Sequence, residues 1–191
     1  MVHLFVNATL AEGTNPDVYQ AQVDKIHSLP FLWAIEWGAI YLPVIYHTVY
    51  GLWITITGQP NVGNYPYGKN IFYVAQRVSA ILLVALIGFH VLAMKGWFGA
   101  HLAFNDKEAT LSTIQHINAN FFIAFVVYPL LVLCGCYHLA NGFWTAGITW
   151  GLTVSAAAQR RWGVVCAAVF AFTFTCGMTA LIYALTHSAP M

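Results

Sequence analysis

Charge is scarce in this sequence. Only 7% of its 191 residues are Asp, Glu, Lys or Arg, where a soluble domain carries roughly 25%, and that excludes a soluble surface. The formal balance is +1 and no basic cluster stands out, so nucleic acid is not among the expected partners. Cysteine is sparse too. The four present, Cys134, Cys136, Cys166 and Cys176, fall in apolar stretches and read as small packing residues, whereas disulfide scaffolds belong to small secreted domains. Cys134 and Cys136 are two apart, so on a helix they face different ways and do not share a metal. The chain has no nucleotide fingerprint and no cysteine set for an iron–sulfur cluster, which assigns any such chemistry to partners. The basic n-region of a secretory signal is missing as well. Met1 to Ala11 is apolar but about half the length of a span, and it looks like the exit end of a helix whose beginning is absent. The expectation is a truncated chain or a docked half-helix.

Apolar residues fill the space that charge leaves, 60% of the chain. Segments 31–57, 71–98, 118–144 and 162–187 each hold the ~20 mostly apolar residues that span a bilayer as a helix, and they are too long for barrel strands. The fold class is therefore an all-α membrane protein, a transmembrane helical bundle of four full spans plus a partial N-terminal helix at 1–11. No linker divides residues 1–191, so they form one domain. The polar stretch Glu12 to Pro30, the turn-rich Gly58 to Asn70, Gly99 to Gln115 and Thr145 to Arg161 read as connections. Lys69, Arg77, Arg160 and Arg161 lie on one side, and Lys25, Lys95 and Lys107 on the other. The positive-inside rule makes the arginine side cytoplasmic, with the protein multi-pass in the cell membrane.

Against this background three histidines are out of place. His47, His90 and His138 each sit inside a separate apolar stretch, where ionisable groups are costly and usually face the bundle interior. Neutral imidazole is a common metal ligand and a standard axial ligand of haem iron. At ~1.5 Å per residue, His90 lies ~27 Å from the inner end of its segment, close to the outer surface. His47 and His138 lie in the inner halves of segments running the other way. His3, roughly 12 Å from the outer end of the stub, matches His90 in depth. Two depth-matched pairs suit two bis-histidine haems. Taken singly, each histidine also suits a structural hydrogen bond or a proton relay.

Local spacing supports the inner pair. His47-Thr-Val-Tyr-Gly51-Leu-Trp53 and His138-Leu-Ala-Asn-Gly142-Phe-Trp144 share a His-x-x-x-Gly-x-Trp pattern. Gly51 and Gly142 stand one turn from their histidines on the same face, where a flat macrocycle could approach the backbone; small residues serve helix packing as well. His27, His101, His116 and His187 fall in loops or at ends and read as ordinary solvated histidines. Most tryptophans lie near span ends, as in an interfacial belt.

With these residues in view the chain resembles the cytochrome b membrane anchor of di-haem succinate:menaquinone oxidoreductases, the single-subunit type with five spans. The resemblance runs in order through Ser28-Leu-Pro-Phe31, Leu42-Pro-Val-Ile-Tyr-His47, Gln76-Arg77-Val-Ser79, His90-Val, His138 to Trp144, Thr149 to Val154 and Gln159-Arg160. His3-Leu-Phe-Val-Asn7 looks like the family's first-helix ligand, although the turns that usually precede it are missing, which would leave the outer haem with less support on that helix. The resemblance implies two haem b groups. The proximal one would be held by His47 and His138, near flavoprotein and iron–sulfur partner subunits, and the distal one by His3 and His90. It also implies that electrons pass between the iron–sulfur subunit and menaquinone, so that the chain is the quinone-reactive subunit of an enzyme complex rather than an enzyme alone.

Other polar groups fit that frame. Arg77 is placed to meet a haem propionate or to snorkel at its helix end. Ser79, eleven residues before His90 and nearly on its face, is placed to line a haem edge or to bond its own backbone. Glu36, three turns before His47, is placed to handle quinone-linked protons near the distal haem or to pair with Lys25 at the interface. Two further readings fit the composition: a haem b anchor of another membrane dehydrogenase, and a haem-free transporter or proton relay built on the histidines.

Overall fold

The computed structural model describes residues 2–12 and 17–187. Met1 of the apolar stub, residues 13–16 of the polar stretch and 188–191 lie outside the described residues. Among the described residues there are only helices and turns. A short helix, α1 (Val2–Ala8), ends in a tight 3-10 turn and is followed by α2 (Asp17–His27). Then come α3 (Leu32–Thr57) and α4 (Gly68–Met94), the short α5 (Ala109–Ile117), and finally α6 (Ile123–Thr149) and α7 (Ala156–Thr186). Helices α3, α4, α6 and α7 are long and apolar enough to cross a membrane. The chain is an all-α, multi-pass membrane bundle.

Local chemistry sets where these helices begin and end. A π-helical turn follows the first turn of α3, at Glu36–Tyr41, and another opens α6, at Ile123–Val127, placed just before Pro43 and Pro129. A proline inside a helix has no N–H to give and its ring crowds the carbonyl four residues back. The wider π turn absorbs that conflict without breaking the span. Helix α4 stops at Met94, and the chain then needs positive φ at Gly96 and Gly99, which only glycine adopts without strain. Helix α7 starts at Ala156 because the Ser155 side chain accepts a hydrogen bond from the Ala158 N–H at 3.1 Å, satisfying one of the free donors of the first turn. Gln159, Arg160 and Arg161 therefore lie on the opening turns of α7 rather than in a loop.

The polar segments read as connections turn out to be partly helical. They build a cap at one end of the bundle. Gln20 of α2 reaches the start of α5, donating to the Asp106 carbonyl at 2.7 Å and accepting from the Ala109 N–H at 2.8 Å. Tyr19 meets Thr113 at 3.3 Å, and His27 approaches Asp106 at 3.5 Å. Beneath the cap lies the main buried cluster, which includes Leu10, Val23, Ala93, Leu102, Ile114, Tyr128 and Leu181. The opposite end carries Lys69, Arg160 and Arg161 and is more open. Helix α7 packs mainly on α6 and α1, and α6 on α4. Helix α3 keeps no buried residue in its apolar window, as suits a helix solvated by lipid. The four cysteines are free.

The α6–α7 contact depends on Gly177. A Cβ there would stand 2.7 Å from Val132 Cγ1, too close for the helices to stay in place. Gly177→Ala is expected to lower stability by about 1–3 kcal/mol, read as a lower Tm in detergent. Val132→Ala in the same chain should recover most of the loss.

Candidate functional site

Two pairs of imidazoles face each other between helices, with His3 and His47 the exposed member of each pair. Near the arginine end, His47 of α3 and His138 of α6 have ring centroids 6.1 Å apart and planes at 85°. Toward the capped end, His3 of α1 and His90 of α4 are 5.9 Å apart at 59°. Ser79 touches His138, and His90 lies eleven residues further along α4, so the pairs are separated by about 16 Å along the helix.

The hydrogen bonds around His138 fix its tautomer. The Ser79 hydroxyl donates to the Gln76 carbonyl at 2.9 Å, which uses its one proton. Its oxygen is then the acceptor for His138 Nδ1, 3.2 Å away, so Nδ1 carries the hydrogen and the Nε2 lone pair is left over. Gln76 goes on to donate to the His138 carbonyl at 3.1 Å and accepts from Asn141 at 2.8 Å. Its Nε2 would stand 3.5 Å from a Cβ on Gly142. Gly51, one turn beyond His47, has nothing within 4 Å of a Cβ position.

A longer chain of the same kind serves His90. His116 Nδ1 meets the Leu102 carbonyl at 2.7 Å. A carbonyl only accepts, so Nδ1 of His116 holds the hydrogen and its Nε2 accepts the Tyr128 hydroxyl proton at 2.6 Å. The Tyr128 oxygen in turn accepts from His90 Nδ1 at 2.9 Å, and His90 Nε2 keeps its lone pair. His3 has a weaker partner, Asn7, with 3.4 Å between the side-chain nitrogens.

Among the described residues no three His, Cys, Asp or Glu side chains gather as a metal site. Paired imidazoles instead suit an ion whose remaining positions are filled by a planar macrocycle. With metal–nitrogen bonds of ~2.0 Å, rings on opposite sides of one ion have centroids about 6 Å apart, which both pairs match. Arg77 adds a second sign of fit. Its guanidinium lies 3.4 Å over the Tyr73 ring and its Nη1 reaches the Tyr73 carbonyl at 3.4 Å, while Nε is buried with no partner. An anionic oxygen such as a haem propionate would satisfy that nitrogen.

Glu36 lies on the π turn of α3, in a cleft of about 290 Å³ shared with Trp37, Tyr41, Ile45, Val91 and Lys95. The basic group lining that cleft is Lys95, not Lys25, and Val91 puts the cleft next to His90.

Comparison with known proteins bears directly on this arrangement. No family model matches the chain, and no solved structure matches it. It is similar to the succinate dehydrogenase cytochrome b558 subunit of Bacillus subtilis (strain 168), 34% identical over 160 residues, covering 83% of this chain and 74% of that relative. The chain belongs to the succinate dehydrogenase cytochrome b subunit family. Its role is thus that of a cytochrome b membrane anchor in electron transport.

Two residues of the site were not evident in the sequence, and one histidine is not where its position along the chain suggests. His116 reads as a solvated loop residue, yet it is fully buried at 0% exposure. The reason is α5: residues 109–117 form an amphipathic helix that turns His116 inward under the cap. Tyr128, which the sequence does not single out, is the link between His116 and His90. An amphipathic pattern in a supposed loop was the available signal. His101 stays exposed, and His187 stacks on Tyr183 with centroids 4.0 Å apart. Ser79 bonds its own helix backbone at the Gln76 carbonyl, one of the two roles expected of it, and also meets His138 on the neighbouring α6.

Burial pushes the His116 imidazole below its ordinary 6.5; the Leu102 carbonyl opposes this, and the positive charge of a protonated His101 adds to it. The unfolded chain thus takes up a proton more readily than the fold. This contribution to stability is complete above about pH 6.5 and is lost as pH falls through the lowered folded value. Acidification is expected to lower the Tm, and His116→Gln should flatten that pH dependence. A thermal-melt series between neutral and mildly acidic pH checks it.

Proposed function

We propose that this chain is the haem-bearing, quinone-reactive anchor of a membrane succinate dehydrogenase, passing electrons between an iron–sulfur partner subunit and menaquinone. The observation that carries this reading is the two facing imidazole pairs, each about 6 Å between centroids, at two depths of one bundle. His47 and His138 would hold the proximal haem b, and His3 and His90 the distal one. When bound, haem b supplies one-electron redox chemistry at its iron.

The chain's own residues do the rest. Ser79 and Tyr128 hold His138 and His90 in the tautomer whose Nε2 is available as a ligand. Gly51 keeps the face beside His47 open, and the Gln76 amide braces His138 at its carbonyl. Arg77 Nε offers a buried donor to a carboxylate. Glu36 shares a cleft with Val91, the chain neighbour of His90, and we assign to it the transfer of quinone-linked protons. The bias of Lys69, Arg77, Arg160 and Arg161 toward one end supports a cytoplasmic arginine end, where flavoprotein and iron–sulfur subunits would dock beside the proximal pair.

The test is haem content of the protein purified with its partners. Pyridine-haemochrome analysis should give two b haems per chain, and His138→Leu and His90→Leu should each remove one. Absence of b haem in the unsubstituted complex would overturn the reading. For Glu36, the expected result of Glu36→Gln is a fall of at least ~10-fold in menaquinone turnover with haem content intact; unchanged turnover removes Glu36 from the mechanism.

A further inference from the structure

Of the four paired histidines, only His90 is backed by a chain of side chains that leaves its own helix, crosses to a second and ends on a third. The links are His90 Nδ1 to Tyr128 at 2.9 Å, Tyr128 to His116 Nε2 at 2.6 Å, and His116 Nδ1 to the Leu102 carbonyl at 2.7 Å. The middle bond is short for a hydroxyl donating to nitrogen. Tyr128 is 9% exposed and His116 0%, so water does not compete for these groups. His138, by contrast, leans on a serine hydroxyl whose proton is spent on a nearby backbone carbonyl.

Direction matters as much as length. The Leu102 carbonyl accepts only, so every proton in the chain is assigned by it, and the Tyr128 oxygen must present a lone pair to His90. Because Tyr128 gives its own proton to an imidazole, its oxygen is enriched in electron density and pulls harder on the His90 Nδ1 hydrogen. A ligand histidine whose second nitrogen donates to a strong acceptor becomes a more basic ligand. A more basic ligand favours the more highly charged ferric iron over the ferrous.

We infer that Tyr128 and His116 are positioning residues that set the redox potential and retention of the distal haem through His90. The inference rests on the proposed function, since it takes His90 to be an iron ligand. It assigns a purpose to the cap: α5 is folded over the bundle so that His116 reaches Tyr128 without solvent. It also explains why Tyr128 occupies the first α-helical position after the π turn of α6, where the wider turn and Pro129 fix its direction.

The experiment is a redox titration of the purified complex, with the b-haem absorbance and the low-spin ferric electron paramagnetic resonance signals followed together. The distal haem is identified as the one lost in His90→Leu. Tyr128→Phe keeps the ring and deletes the hydroxyl. The expected result is an upward shift in the midpoint potential of the distal haem and an altered low-spin signal. Its retention should fall by about 10–100-fold, with the proximal haem unchanged as internal control. His116→Leu leaves Tyr128 in place without its acceptor and should shift the same haem in the same direction. His116→Gln, whose amide can both donate to Leu102 and accept from Tyr128, should restore most of the original potential. Should Tyr128→Phe fail to assemble, the His116 pair carries the same decision. Two haems with potentials and signals unmoved in these variants would overturn the inference and leave the proposed function standing. A wild-type complex without b haem would overturn the proposed function itself.

Discussion

An imidazole in a lipid-solvated bundle has two nitrogens and no water to satisfy them, and most of the bundle's register follows from how this chain meets that demand. A buried polar group left unpaired costs roughly 1–3 kcal/mol. Ser79 and Gln76 of α4 answer the demand of His138 on α6. Tyr128 of α6 and His116 of α5 answer that of His90 on α4. Both networks join α4 to α6, and the second reaches on to α5, so α4 and α6 are locked together at two levels, with a sliding error at either level leaving a nitrogen orphaned. Both networks also end with Nδ1 engaged and Nε2 free, which is the state a ligand histidine needs.

The prolines and the π turns give the same result from the backbone side. A span that must carry a proline near its entry cannot run as an ideal α-helix, and the wide turn that repairs it rotates everything that follows. In α3 that turn carries Glu36 and hands on to Pro43 and then His47. In α6 it hands on to Tyr128 and Pro129. Glu36, His47 and Tyr128 thus sit in or just beyond the two places where helical geometry departs from the ordinary.

The two ends of the bundle differ in kind. One is closed by α2 and α5, latched through Gln20 and Tyr19, over the largest buried cluster of the protein. The other exposes Lys69, Arg160 and Tyr67 around a cavity of about 740 Å³. A closed end suits a buried hydrogen-bonded relay. An open basic end suits contact with other subunits of a complex.

Composition alone determined a great deal here. Scarce charge and four long apolar runs required a helical membrane bundle, since lipid leaves the backbone no other way to satisfy itself. Intramembrane histidines at matching depths were visible from counting residues along helices, because rise per residue is constant. What counting could not give was azimuth and cap. Tyr128 became a link only when the π turn fixed its direction. The backbone bond of Ser79 was among its expected roles, but its contact with His138 was not legible, because helix crossing, not spacing along one helix, decides which neighbour a side chain meets. His116 looked solvated because a nine-residue helix such as α5 is too short to be stable by itself. It exists, and buries its histidine, only where α2 and the ends of the spans are present to pack against it.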